Sequence, residues 1–160
     1  MYDMTRKKVK LTDIAAVERA DGGLYPAGTV YIQVSAARRN GGSFFITTEM
    51  MRLEGKYAVL IPKITIIPEY LCIALERVAP EFLRKYVGDN INIQMDAFRW
   101  LELEYHINPD TQRYIADSVK IMQQGIDAEN AEIEAIRELK KYMLNKMLRV
   151  DYEDGGRRRE

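Results

Sequence analysis

Residues 108–148, NPDTQRYIADSVKIMQQGIDAENAEIEAIRELKKYMLNKML, carry a single helical rhythm, and no other feature constrains the chain as much. Pro109 suits the first turn of a helix, where its missing N–H is no loss. Apolar side chains recur at Ile115, Val119, Met122, Ile126, Ile133, Ile136, Met143 and Met147, and the first four are spaced by four, three and four residues. That is a heptad seam. Carried forward, the register takes in Glu129 and Lys140, and Leu139 displaces the stripe slightly. Gly125 costs about 1 kcal/mol against alanine inside a helix, and marks a close approach or a bend. At about 1.5 Å per residue the helix is roughly 55–60 Å long. The rest of the chain makes a domain only about 25–30 Å across. The length therefore predicts a partner helix, from a second copy or from another protein.

The residues before the helix predict a compact domain of short, mostly antiparallel strands with one or two helices. Thr29–Val34 and Ser43–Thr48 are rich in β-branched and aromatic residues, and Tyr57–Ile61 makes a third strand. The first two are joined by a polar connection ending in glycines and form an antiparallel pair. Lys63–Ile67 reads as a further short strand. From Val17 the chain is either strand or helix. Asp21-Gly22-Gly23 and Pro26-Ala27-Gly28 break it. Thr12 is placed to cap a short turn over Leu11–Ala15, and Tyr2–Lys8 reads as a mobile start. Pro68 and Glu69 open a helix with an apolar face at Tyr70, Leu71, Ile73, Ala74 and Val78. Pro80 kinks or restarts it, and Gly88-Asp89-Asn90 ends it. Asp96 is placed to cap a turn over Ala97–Trp100. Leu101–Ile107 alternates as a half-buried strand. The fold class is α+β: a domain over residues 1–108, a coiled-coil-type helix over 109–149, and a disordered charged tail over 150–160.

Composition narrows the function. Lysine plus arginine and aspartate plus glutamate each number 24, so no bulk charge draws the chain to nucleic acid. The charged fraction, 30%, fits a solvated helix. Cys72 is the one cysteine and sits in an apolar run, so it reads as a small buried hydrophobe. No apolar run spans a bilayer, and the N-terminus has no signal-peptide core, so a cytoplasmic protein without membrane contact is expected. There is no P-loop, dinucleotide fingerprint or nucleophile elbow. His106 is the one histidine, without companions for a metal site, and reads as structural or surface. Glu102 and Glu104 share a solvated strand face opposite Leu101, Leu103 and Tyr105. Trp100 reads as core. No enzyme, metal or cofactor is expected.

One local cluster has binding chemistry. Arg38, Arg39 and Asn40 sit together in the strand connection, and arginine and asparagine pair bidentately with guanine and adenine edges. The same residues also suit a solvated loop. Lys7, Lys8, Lys10, Lys56 and Lys63 could add phosphate contacts. Arg157–Arg159 could do so nonspecifically, or keep a tail soluble.

The order of these elements resembles half of the specificity (S) subunit of Type I restriction-modification systems, one target recognition domain followed by one conserved-region helix. Lys10-Leu11-Thr12-Asp13-Ile14-Ala15 is similar to the family's opening "KLGDIA". Ile67-Pro68-Glu69-Tyr70-Leu71 is similar to its "P-x-(Y/F)-L". Ile93, Phe98, Leu101 and Leu103 match "nI…L..L.I", and Pro109, Gln112, Ile115 and Ala116 match "P…Q..IA". Ile126-Asp127 matches "(I/L)D", and Leu139-Lys140-Lys141 with Leu144 matches "L..LKK.LL". No single motif is specific, but their order covers nearly the whole chain. The resemblance implies a non-catalytic reader of double-stranded DNA that dimerises through the helix and docks a methyltransferase (M) subunit. Its candidate DNA contacts are Arg38, Arg39, Asn40, Lys56, Asn90 and Asn92. The chain departs from the family in a shortened Phe45–Tyr57 region and in Asn90 where glutamine is common. Those departures and the neutral charge suit a second reading, an S-like module that binds M subunits or its own copy without reading DNA.

Overall fold

The structure is a computed structural model that describes residues 3–37 and 42–155, with side chains described to residue 148. It is α+β, with antiparallel pairing throughout the described strands. Two compact units divide the chain at Asp117 and Ser118. The first therefore takes in the opening turns of the final helix.

Strand β1 (Arg6–Lys10) leads into a single turn, α1 (Leu11–Ile14), and then β2 (Ala15–Arg19). A short β3 (Leu24–Tyr25) precedes β4 (Val30–Gln33), β5 (Phe44–Ile46), β6 (Met51–Arg52) and β7 (Tyr57–Pro62). The central sheet runs β2-β7-β4-β5, and β3 pairs separately with β6. Helix α2 (Pro68–Phe82) passes into a π turn over Leu83–Val87, and a 3₁₀ turn, Met95–Trp100, leads to β8 (Glu102–His106). The last described element is α3 (Pro109–Gly155), whose backbone continues past residue 149.

The inner sheet face, with Val30, Ile32, Phe44, Ala58 and Leu60, packs on Leu71, Ala74 and Leu75 of α2. Leu71 and Leu75 are fully buried. Burying one such leucine stabilises a fold by about 1.5–3 kcal/mol. Phe98 completes this core by stacking on Phe82 at 5.6 Å. Helix α2 begins as the sequence predicts, with Pro68 in its first turn. Pro80 lies inside the helix, which runs through it into the π turn. Gly88, at φ +55°, ends that turn. At the first breaker, Gly22 takes φ +85° and Asp21 Oδ1 accepts the Gly23 N–H at 2.8 Å.

Several local expectations are corrected. The supposed mobile start contains β1, which pairs with β8 from Arg6↔His106 to Lys10↔Glu102. It lacks apolar alternation because opposite charges pair it: Lys8 Nζ lies 2.8 Å from Glu102 and Arg6 lies 3.8 Å from Glu104. Lys63–Ile67 is a connector and not a strand. Its ends are tied by the Lys63 N–H to Ile14 O at 2.7 Å and the Ile67 N–H to Gln112 Oε1 at 3.0 Å. The N-cap of α1 is Lys10, with no side-chain cap bond, and Thr12 lies within the turn. The N-cap of the 3₁₀ turn is Gln94, and Asp96 instead pairs with Arg99 at 3.1 Å. Trp100 is not core: it is 52% exposed and stacks on Tyr86 at 6.5 Å. From Val17 the chain is strand, because β2 pairs along β7.

Candidate nucleic-acid interface

The antiparallel sheet gathers residues that are distant in sequence at one end. Strand β7 starts there with Tyr57 opposite Gln33, and β2 finishes there with Arg19 opposite Ala58. The Lys56 carbonyl accepts the N–H groups of Val34 and Ser35, at 2.9 and 3.2 Å, as β4 exits. The Arg19 guanidinium donates to Gly55 O at 3.2 Å. On the other side, the Ile93 N–H donates to Val34 O at 2.8 Å, and Asn92 Oδ1 accepts the Ala36 N–H at 2.8 Å. Ala36 has a φ of +53°, a left-handed conformation unusual for a residue with a Cβ. The Asn92 carboxamide holds the chain there, two positions before Arg38.

Of the sequence candidates, Lys56 and Asn92 thus share this end with the residues flanking the β4–β5 connection. Lys56 is exposed, with its ammonium 3.3 Å from Glu54 and 5.3 Å from the centroid of the Tyr57 ring. Asn90 is exposed, and its N–H donates to Val87 O at 3.1 Å. Arg38, Arg39 and Asn40 lie outside the described residues. Arg19 was missed because its place depends wholly on the β2–β7 pairing. The outer sheet face was missed as well. There Tyr31 stacks on Phe45 at 5.6 Å and meets Tyr57 edge-on at 5.3 Å.

A groove of about 340 Å³ lies among α2, its π turn, β1 and β8. Its wall carries Lys8, Arg77 and Lys85 against Glu81, Glu102 and Glu104, so its charges balance. Tyr86 and Trp100 form its aromatic side, with Lys85 and Arg99 over their rings at 5.2 and 6.0 Å.

His106 is buried in a structural network. Arginine cannot accept, so Arg6 Nε donates to His106 Nε2 at 3.2 Å. The imidazole proton is then on Nδ1 and donates to Tyr70 Oη at 2.9 Å. Tyr70 Oη also accepts the His106 N–H at 2.7 Å. Gln112, 1% exposed, donates to His106 O at 2.7 Å while accepting from Ile67. Burial, then the nearby Arg6 and Arg77 charges, lower the His106 pKa. Cys72 is half-buried, and burial followed by Glu76 and Glu69 pushes its thiol up to about 12. Among the described residues, no cluster of His, Cys, Asp or Glu is placed to hold a metal, and no helix is long and apolar enough to cross a membrane.

Along α3, Asn108 Oδ1 accepts from the Asp110 and Thr111 N–H groups at 2.8 and 3.3 Å, capping the helix. Ile115 packs on the domain core and Val119 is half-buried. The later seam residues are exposed: Met122 59%, Ile126 51%, Ile133 47%, Ile136 59%, Met143 51% and Met147 62%. Beyond the adjacent helix backbone, no atom of the described residues lies within 4 Å of the place a Cβ on Gly125 would take.

These features define a class: a small antiparallel α+β domain continuing into one long helix. No protein-family model and no curated protein matches the sequence. Solved structures share its fold. The S subunit of the Type I restriction-modification system from M. genitalium matches at a TM-score of 0.62 and 14% identity, over 88% of this chain and 45% of that one. A chain from a study of complex assembly and conformational transition in the type I R-M system matches at 0.63 and 16%, over 85% and 43%. The HsdS subunit from Thermoanaerobacter tengcongensis matches at 0.56 and 15%, over 77% and 38%. The chain spans less than half the length of each.

Proposed function

We propose that this chain is a non-catalytic, sequence-specific DNA-recognition subunit of a Type I restriction-modification system, with one recognition domain and one conserved-region helix. The observation that carries the reading is the fold, shared over 88% of the chain with an S subunit. The sheet end bearing Arg19, Lys56 and Asn92 is the proposed DNA contact, continued by Arg38, Arg39, Asn40 and Asn90. The exposed seam of α3 is the proposed surface for a second copy, and an M subunit is the proposed further partner. A mobility-shift assay on the chain with its M partner, against random duplex at low and moderate salt, tests the reading. We expect affinity that falls as salt rises. Binding that is absent at both salt levels overturns DNA recognition.

A second reading is supported by the charge balance and by the Lys56–Glu54 ion pair. It is an S-like interaction module that binds M subunits or its own copy without productive DNA reading. Stable M-subunit binding without any DNA affinity in the same assay favours it.

A further inference from the structure

Trp100 is the one tryptophan of the chain, and it is 52% exposed. Tyr86 beside it is 37% exposed. Their rings are parallel to within 10°, with centroids 6.5 Å apart, so a planar group laid along one also lies along the other. Arg99 sits 6.0 Å from the centroid of the Trp100 ring, and Lys85 sits 5.2 Å from that of Tyr86. Both rings border the groove of about 340 Å³ among α2, its π turn, β1 and β8. Ligand pockets span about 300–1,000 Å³. We propose that this groove is a second nucleic-acid site that takes an unpaired nucleotide of single-stranded DNA. The base stacks on Trp100 and Tyr86, and its phosphates meet Lys85 and Arg77. The inference rests on the DNA binding proposed above, but the groove shares no residue with the sheet end.

The groove's charges divide into engaged and unengaged groups. Lys8 holds Glu102 at 2.8 Å, and Arg6 holds Glu104 at 3.8 Å. Arg77 and Lys85 make no ion pair among the described residues, and neither does Glu81 between them. Two cations therefore stand against one carboxylate. That excess suits a single phosphate and not the backbone of a duplex. The rings select in the same sense. Neighbouring bases cover each other's faces in a duplex, so only a base taken out of the stack can lie on this platform. Every base has such a face, so the site tolerates any sequence.

The test uses the full chain with single-stranded oligodeoxyadenylate and oligodeoxythymidylate. Fluorescence of Trp100 reads the site directly, because the chain has no other tryptophan. Both oligonucleotides are expected to quench it to saturation, and the duplex formed from them is not. Trp100→Ala is expected to weaken binding of a labelled oligonucleotide about tenfold or more in anisotropy. Trp100→Phe, which keeps a ring, is expected to restore most of it. Arg77→Gln with Lys85→Gln is expected to flatten the salt slope by about 1.4, at about 0.7 per phosphate contact on a single strand. Circular dichroism checks the fold of each variant. Absent quenching, or an affinity that Trp100→Ala leaves unchanged, overturns the groove site. Quenching of equal strength by deoxyadenosine monophosphate overturns the strand as its ligand. In the same variants the duplex mobility shift with the M partner is expected to persist, and its loss would overturn the separation of the two sites. Quenching by oligonucleotides without any duplex shift keeps the groove and sinks duplex recognition.

Discussion

The buried His106 makes this domain sensitive to acid. Burial and the Arg6 and Arg77 guanidinium groups hold its pKa below the ordinary 6.5, and Tyr70 and Arg6 occupy both ring nitrogens. In the folded chain the imidazole binds a proton less readily than in the unfolded chain. Below about pH 6.5 the unfolded state therefore takes up more protons. The contribution of neutral His106 is complete above that pH. It is lost as pH falls through 6.5 toward the lower folded-state value, because an imidazolium cannot accept from Arg6. Thermal unfolding followed from pH 8 to pH 5 is expected to show a loss in this window that His106→Gln lacks. An equal loss in the variant would assign the acid sensitivity elsewhere.

At the scale of the element, the final helix is the part most exposed to test. Replacing Ile126 and Ile133 together with lysine sets four like charges in the proposed dimer seam, while both side chains face solvent in the single chain. Light scattering is expected to report a monomer whose domain keeps its unfolding temperature. A surviving dimer would rule out this seam. Legibility from sequence also divides by element. Strands β4, β5, β7 and β8 and helix α2 were readable, because burial on a face writes an apolar period into them. Strand β1 was not, since its pairing rests on lysine and arginine opposite glutamate. Strands β3 and β6 have two residues each, too few to hold a period. Trp100 misled because an aromatic beside buried Phe98 was read as core, whereas the 3₁₀ turn points it outward onto Tyr86. Of the proposed site, Lys56 and Asn92 were candidates in the sequence by residue type. Its assembly was not legible, because the Ala36–Asn92 and Arg19–Gly55 bonds span 56 and 36 positions.

For the whole molecule, equal numbers of positive and negative side chains mean that any attraction to DNA is local. On the proposed reading it is concentrated at the sheet end, where Arg19 and Lys56 are exposed on neighbouring segments. Each phosphate contact contributes about 0.9 to the slope of log affinity against log salt. Arg19→Gln with Lys56→Gln is therefore expected to flatten the slope by up to about 2 units per domain in fluorescence anisotropy. An unchanged slope would move the phosphate contacts to another surface.

The pairing of β1 with β8 also sets an order of events during synthesis. Arg6 has no partner strand until His106 has been made, and the Asp3 carbonyl waits for the hydroxyl of Thr111. The first strand of this domain is thus nearly the last to find its place. Closing so long a loop is slow, and until it closes the nascent chain leaves one flank of its core open to water and to chaperones.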